Sequence, residues 1–84
     1  MRNRIRFLTR DGCHLCDLAR PVVARLARRH GLDLIELDVD ADEDLQARYG
    51  SRVPIVLGPE DQVLAEGDIA DGARLNRVIR KLSP

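Results

Sequence analysis

The sequence has 84 residues, 44% of them hydrophobic and 33% charged, which predicts one small folded domain spanning residues 1–84 and excludes a disordered chain. The 14 basic and 14 acidic residues cancel, and only Phe7 and Tyr49 are aromatic, which argues against nucleic acid as a partner. No apolar run approaches the roughly 20 residues that cross a bilayer, which argues against a membrane protein. The N-terminal residues lack the apolar core of a signal peptide, so we expect a cytoplasmic location; we also expect a monomer.

The first predicted elements are a strand over Arg4–Thr9 and a long helix over residues 14–30. Gly31 should end this helix, and Pro21 should bend it without ending it. Apolar residues recur in the helix at steps of three and four, which is the pattern of one buried face. These residues are Leu15, Leu18, Ala19, Val22, Val23, Leu26 and Ala27.

The middle of the chain predicts a second strand over residues 32–39, whose many apolar positions favour a mostly buried strand. A short helix should follow, capped by Asp40 or Asp42 and ended by Gly50. A third strand over residues 53–57 comes next.

The last part of the chain begins with turn residues at 58–61, so the strand over residues 62–65 should return antiparallel to the third strand. Asp68 or Asp71 should cap a final helix that buries one apolar side. The element order β-α-β-α-β-β-α predicts an α/β fold, with a mixed four-stranded sheet and helices on both faces.

Cys13 and Cys16 form a C-x-x-C motif between the first strand and the first helix. Free backbone N–H groups and the helix dipole favour an anion at this helix start, and therefore the thiolate form of Cys13. Cys16 lies one helical turn further in, within reach of a mixed disulfide formed at Cys13. The spacing therefore predicts a nucleophilic Cys13 and a resolving Cys16.

Three features together resemble the thioredoxin superfamily, and most closely its small glutaredoxin-like proteins, over essentially the whole chain. They are the strand-to-C-x-x-C-to-helix junction, the run from Tyr49 to Pro54, and Gly67 before a capped helix. The resemblance implies a thioredoxin-like fold and a thiol–disulfide oxidoreductase acting on a disulfide-containing protein or a small thiol substrate. It also implies glutathione or a thioredoxin-type reductase as electron donor, with no bound cofactor and no metal.

The same resemblance assigns substrate-binding roles. Val53-Pro54 matches the family's cis-proline step, in which the proline packs beside the cysteines and the preceding residue pairs with the substrate backbone. Arg10 stands where glutaredoxins hold glutathione's carboxylate with a lysine, whereas Gly67-Asp68 replaces their Gly-Gly pair with an acid. Arg52 is either a contact for Cys13 or a substrate carboxylate, or a solvated loop charge.

Alternative functions and roles stay open from the residues alone. Cys13 and Cys16 have a chelating spacing, so the chain is alternatively an iron-sulfur or metal-binding module, or a thioredoxin-fold binding domain without redox activity. His14 is either a tuning group for Cys13 or an exposed side chain, and His30 should interact with the last carbonyls of the helix. Phe7 stands where thioredoxins have a buried acid.

Overall fold

Four strands form one mixed sheet in the computed structural model, which describes residues 3–82. The sheet order is β2 (Asp33–Asp38), β1 (Arg4–Thr9), β3 (Ile55–Leu57) and β4 (Val63–Glu66). β1 pairs with β2 in parallel and with β3 antiparallel, and β3 pairs antiparallel with β4. The predicted strand order along the chain and the mixed sheet are therefore confirmed.

Three helices connect and cover these strands: α1 (His14–Arg29), α2 (Glu43–Tyr49) and α3 (Gly72–Arg80). α1 continues through Pro21 as expected. Asp42 caps α2, and its carboxylate accepts hydrogen bonds from the N–H groups of Asp44 and Leu45 at 2.8 and 3.1 Å. Asp71 caps α3 in the same way, so the second of each pair of predicted caps is the one used. None of the described helices has the length and apolar character to span a membrane.

The sheet is covered on both faces, as predicted. Alternation along β1 directs Ile5 and Phe7 toward the layer of α1 and α3, and Leu8 toward the layer of α2. In β3, Ile55 and Leu57 face the layer of α2 and Val56 faces the layer of α1 and α3, and all three residues are buried. The two inner strands, β1 and β3, therefore supply the buried centre of the sheet.

The prediction that the second strand is mostly buried is wrong. No residue of β2 is buried, and Ile35 is 36% exposed. β2 is an edge strand, so a neighbouring strand covers it on one side only. Its apolar residues line the margin of the core instead of its centre.

Leu15 and Leu18 also depart from the predicted helix face, since they are 41% and 45% exposed. The residues of α1 that are buried are Cys16, Ala19, Val23, Leu26 and Ala27. The buried residues already recur at steps of three and four when Leu15 and Leu18 are left out. Leu15 precedes Cys16 and Leu18 precedes Ala19, so each leucine lies about 100° around the helix from a buried residue. The two leucines therefore face outward near the cysteines.

Candidate functional site

Cys13 and Cys16 form a disulfide at the start of α1, with their Cα atoms 5.2 Å apart. Cys13 is the N-cap residue, with an extended backbone, and its Sγ accepts a hydrogen bond from the N–H of Cys16 at 3.1 Å. Cys13 is half-buried, whereas Cys16 is fully buried. Cys13 is therefore the outer and Cys16 the inner residue of the pair.

The Val53-Pro54 peptide bond is cis, as the family resemblance implies. β3 begins only at Ile55, which pairs with Leu8, so the Val53-Pro54 step lies toward the end of β1 from which the chain continues to Cys13. Pro54 is buried, and no backbone hydrogen bond joins Val53 to another described residue.

Gly67, the residue that follows β4, is hydrogen-bonded to this step. Its N–H donates to the Pro54 carbonyl at 2.9 Å, and its φ of 78° lies in the left-handed region that favours glycine. Asp68, the other half of the predicted pair, is exposed and accepts a hydrogen bond from the Ala70 N–H at 3.2 Å. Asp68 borders a groove of about 240 Å³ between β4 and α3.

Arg10 is held by a carboxylate. Its Nε and Nη2 donate to the two carboxylate oxygens of Asp40 at 2.9 and 3.1 Å, and Gln46 donates to the same carboxylate at 3.2 Å. The hydrogen bond from Arg10 lowers the pKa of Asp40, and the same bond raises the pKa of Arg10. A Cβ at Gly50 would lie 2.5 Å from the backbone carbonyl oxygen of Gln46 and 3.1 Å from Nη2 of Arg10, so a glycine is needed chiefly by the close approach of the α2 backbone.

Arg52 is paired as well. Its Nε and Nη2 donate to the carboxylate of Glu66, both at 3.1 Å, and its guanidinium lies 5.6 Å from the centre of the Tyr49 ring. The hydrogen bond raises the pKa of Arg52 and lowers that of Glu66. Arg52 therefore meets Glu66 and Tyr49, a third arrangement beside the two that the sequence left open.

A polar cluster next to the cysteines was missed by sequence reasoning. The hydroxyl of Thr9, which is 4% exposed, donates to Glu36 at 3.1 Å. Arg20 binds Glu36 through Nε at 3.0 Å and Asp17, the neighbour of Cys16, through Nη1 at 2.9 Å. The bond from Arg20 lowers the pKa of Glu36. The sequence signal was weak: a single glutamate between the apolar residues Ile35 and Leu37 of the second strand.

The two histidines occupy different environments, one at each end of α1. His14 is exposed, and Nε2 of His30 lies 2.6 Å from Oδ1 of Asn76 on α3, so the prediction that its side chain meets the last carbonyls of α1 is wrong. The backbone N–H of His30 caps the helix instead. Within residues 3–82, no group of three or more His, Cys, Asp or Glu side chains could hold a metal ion.

Comparisons with protein-family models and with curated proteins identify relatives of this chain. The family model described as "Glutaredoxin-like domain (DUF836)" matches residues 4–80. An uncharacterized protein of Mycobacterium tuberculosis is 34% identical over 61 residues, which are 67% of this chain and 63% of that protein, so the match spans less than two thirds of the relative. A "Probable Thioredoxin" of Archaeoglobus fulgidus is 32% identical over 80 residues, covering 93% of this chain and 87% of the relative.

Solved structures share the architecture. A structural-genomics target protein from X. campestris matches with a TM-score of 0.74 and 30% identity, over 95% of this chain and 99% of that one. Thioredoxin 1 from Thermosipho africanus matches with a TM-score of 0.72 over 94% and 92% of the two chains; at 17% identity this likeness concerns the fold alone. The predicted thioredoxin-like fold is confirmed.

Proposed function

Because the chain belongs to the glutaredoxin-like domain family and has a thioredoxin-like fold, we propose that it is a thiol–disulfide oxidoreductase that uses Cys13 and Cys16 to reduce or exchange disulfides. The observation that carries this proposal is the Cys13–Cys16 disulfide at the first turn of α1, with one sulfur half-buried and the other fully buried. An outer and an inner thiol at a helix start are what two successive exchange steps require.

The first step is attack by the Cys13 thiolate on one sulfur of a substrate disulfide. A bond forms between Cys13 Sγ and that sulfur, the substrate S–S bond breaks, and the other substrate sulfur leaves as a thiolate that takes a proton from water. The N–H of Cys16, which donates to Cys13 Sγ at 3.1 Å, and the positive end of the α1 dipole both favour the thiolate over the thiol.

The second step is attack by Cys16 on the mixed disulfide at Cys13. Cys16 loses its proton and bonds to Cys13 Sγ, and the second half of the substrate leaves as a thiol, so two electrons pass from the cysteine pair to the substrate. Cys16 is fully buried, which shields it from direct reaction with external disulfides. A thiol donor, either glutathione or the dithiol of a thioredoxin-type reductase system, then restores the reduced pair.

Val53 and Pro54 are the proposed docking site for the substrate chain. The side chain of Val53 packs against the α2-side core, while its backbone forms no hydrogen bond within the described chain. An extended substrate segment can therefore pair with this backbone in the manner of an added strand. A disulfide-containing protein fits this arrangement, and we propose that the chain acts on it as a cytoplasmic monomer.

A single-turnover assay tests the proposal. Reduced protein is mixed with excess 2-hydroxyethyl disulfide, quenched in acid at intervals, alkylated and weighed by mass spectrometry. The wild type should form the intramolecular disulfide, whereas Cys13→Ser should react at least about 100-fold more slowly, because the exposed nucleophile is gone. Equal rates for the two proteins, or no reaction of the wild type, would refute the proposed activity.

A further inference from the structure

We propose that Asp40 and Glu66 determine which disulfides the Cys13–Cys16 pair accepts: by neutralising Arg10 and Arg52 they leave a site that favours neutral and cationic disulfides and disfavours anionic ones such as oxidised glutathione. This inference rests on the proposed oxidoreductase function and concerns its substrate class. Asp40 and Glu66 act through their arginines and are not placed in contact with reacting atoms.

Arg10 is the cation nearest to Cys13 along the chain. Both of its contacts with Asp40 are short, and Gln46 steadies the same carboxylate from α2. The fork of the guanidinium is therefore matched to a carboxylate inside the protein, in the geometry it would use for a carboxylate of a ligand. An anionic substrate would have to displace Asp40 to reach this charge.

Arg52 adjoins the proposed docking residue Val53, and Glu66 adjoins Gly67, whose N–H holds the Pro54 carbonyl. The Arg52–Glu66 pair therefore lies across the two segments that frame the cis-proline step. Both of its hydrogen bonds are 3.1 Å long, so this guanidinium too is satisfied within the chain.

The remaining charges around the disulfide loop are mainly negative. Arg20 is bound to Asp17 and Glu36, and a polar pocket of about 280 Å³ beside the loop is lined by these three residues together with Thr9, Arg10, Asp11 and Asp38. Carboxylates thus outnumber guanidinium groups in this pocket. Asp68 adds an exposed carboxylate outside this pocket, and neither Asp11 nor Asp68 forms an ion pair with another described residue.

Most cations without a carboxylate partner in residues 3–82 belong to the helical layer of α1 and α3, and Arg74, which lines the groove beside Glu66, shares that groove with the carboxylates of Asp68 and Asp71. Those on the two helices and the residue after α3 are Arg25, Arg28, Arg29, Arg74, Arg77, Arg80 and Lys81, all exposed. The nearest of them on α1, Arg25, follows Cys16 by nine residues, about 13 Å along the helix. An anionic disulfide at Cys13 therefore meets carboxylates first, and like charges slow its approach.

The test compares three small disulfides that differ in charge: cystamine, which is cationic, neutral 2-hydroxyethyl disulfide, and oxidised glutathione, which is anionic. Each rate with reduced protein at pH 7 is divided by the rate of the same disulfide with dithiothreitol, which corrects for intrinsic reactivity. The corrected rates should fall in the order given, by about tenfold from first to last at low salt, and converge to within about twofold in 0.5 M salt.

Variants identify the residues responsible. Asp40→Asn and Glu66→Gln should each raise the ratio of the oxidised-glutathione rate to the 2-hydroxyethyl disulfide rate about threefold to fivefold, because each frees a guanidinium. Asp40→Glu should keep the wild-type ratio. Asp44→Asn is the matched control, since it removes the same charge and frees Arg48 on α2, and it should also keep the ratio. Because both rates in a ratio are measured on the same variant, a general loss of folded protein lowers both rates and leaves their ratio unchanged.

The outcomes separate the two proposals. If the neutral disulfide reacts but the corrected rates show no dependence on charge, or favour oxidised glutathione, the inference about Asp40 and Glu66 is overturned and the oxidoreductase function stands. The same conclusion follows if Asp44→Asn changes the ratio as much as Asp40→Asn. If none of the three disulfides oxidises the reduced protein, the proposed function itself fails.

Discussion

At the scale of single residues, the two cysteines differ in exposure more than in chemistry. Cys13 is half-buried at the helix cap, and Cys16 is fully buried one turn later. Because alkylation requires both thiolate character and access, brief treatment of the reduced protein with iodoacetamide at neutral pH should label Cys13 at least about tenfold more than Cys16. Peptide mass mapping measures the ratio. Predominant labelling of Cys16 would reverse the roles assigned to the two thiols.

Glu36 provides a residue-scale prediction about pH. A hydrogen bond from Arg20 and a weaker contribution from Thr9 lower the pKa of Glu36. The native state therefore favours the ionised carboxylate more than the unfolded chain does. The stabilisation is therefore present above the ordinary glutamate pKa and is lost as pH falls through the lowered one. Since the side chains of Arg20 and Glu36 are 43% and 38% exposed, its size should be about 1 kcal/mol or less.

Urea unfolding of the wild type and Glu36→Gln measures this contribution. The wild type should be the more stable protein at pH 7, and the difference should shrink as the pH falls below the ordinary glutamate pKa and through the lowered one. Two stability curves that stay parallel across this range would show that the Arg20–Glu36 contact contributes nothing that depends on ionisation.

At the scale of elements, α1 divides sharply between core and surface. Val23 is fully buried, whereas Leu18 is 45% exposed although it is the larger apolar residue. Val23→Ala should lower the free energy of unfolding by about 2 kcal/mol through lost burial and a residual cavity. Leu18→Ala should change it by no more than about 0.5 kcal/mol. Urea midpoints compare the two variants directly, and a larger loss for Leu18→Ala would contradict the observed packing.

Several elements could be predicted because their signals are local. Asp42 and Asp71 each precede a helix by one residue, and the cap is a contact between near neighbours. The placement of β2 could not be predicted in this way, because whether a strand lies at an edge depends on the order of all four strands. An apolar strand at the edge of a sheet and one at its centre have the same pattern of apolar residues in the sequence.

The same distinction applies to the candidate site. The C-x-x-C motif and the Val53-Pro54 step are short segments whose identity is visible in the sequence. The partners of Arg10 and Arg52 are not, since Asp40 and Glu66 lie 30 and 14 residues away and meet their arginines only through the fold. Sequence reasoning could therefore nominate both arginines for substrate binding without detecting the carboxylates that neutralise them.

At the scale of the whole molecule, the sheet brings together segments from three parts of the chain. The parallel pairing of β1 with β2 brings Glu36 to the α1 layer, and the antiparallel pairing of β1 with β3 brings the cis-proline step toward the loop before Cys13. Charge is divided across the same frame: the paired arginines Arg10 and Arg52 flank the candidate site, and most of the arginines that have no ion-pair partner within residues 3–82 lie in the α1 and α3 layer. Although the net charge is zero, the charged side chains are therefore distributed unevenly over the surface.

If Cys13 attacks and Cys16 then resolves, the intermediate is a mixed disulfide on Cys13, and removing Cys16 should trap it. Reduced Cys16→Ser is mixed with 2-hydroxyethyl disulfide, and the intact protein and its peptides are weighed. This two-step exchange should leave a lasting mixed disulfide on Cys13 in this variant, a Cys13–Cys16 disulfide without a lasting adduct in the wild type, and essentially no adduct on Cys13→Ser over the same time. Rapid adduct formation on Cys16 in Cys13→Ser, with none on Cys13 in Cys16→Ser, would contradict it.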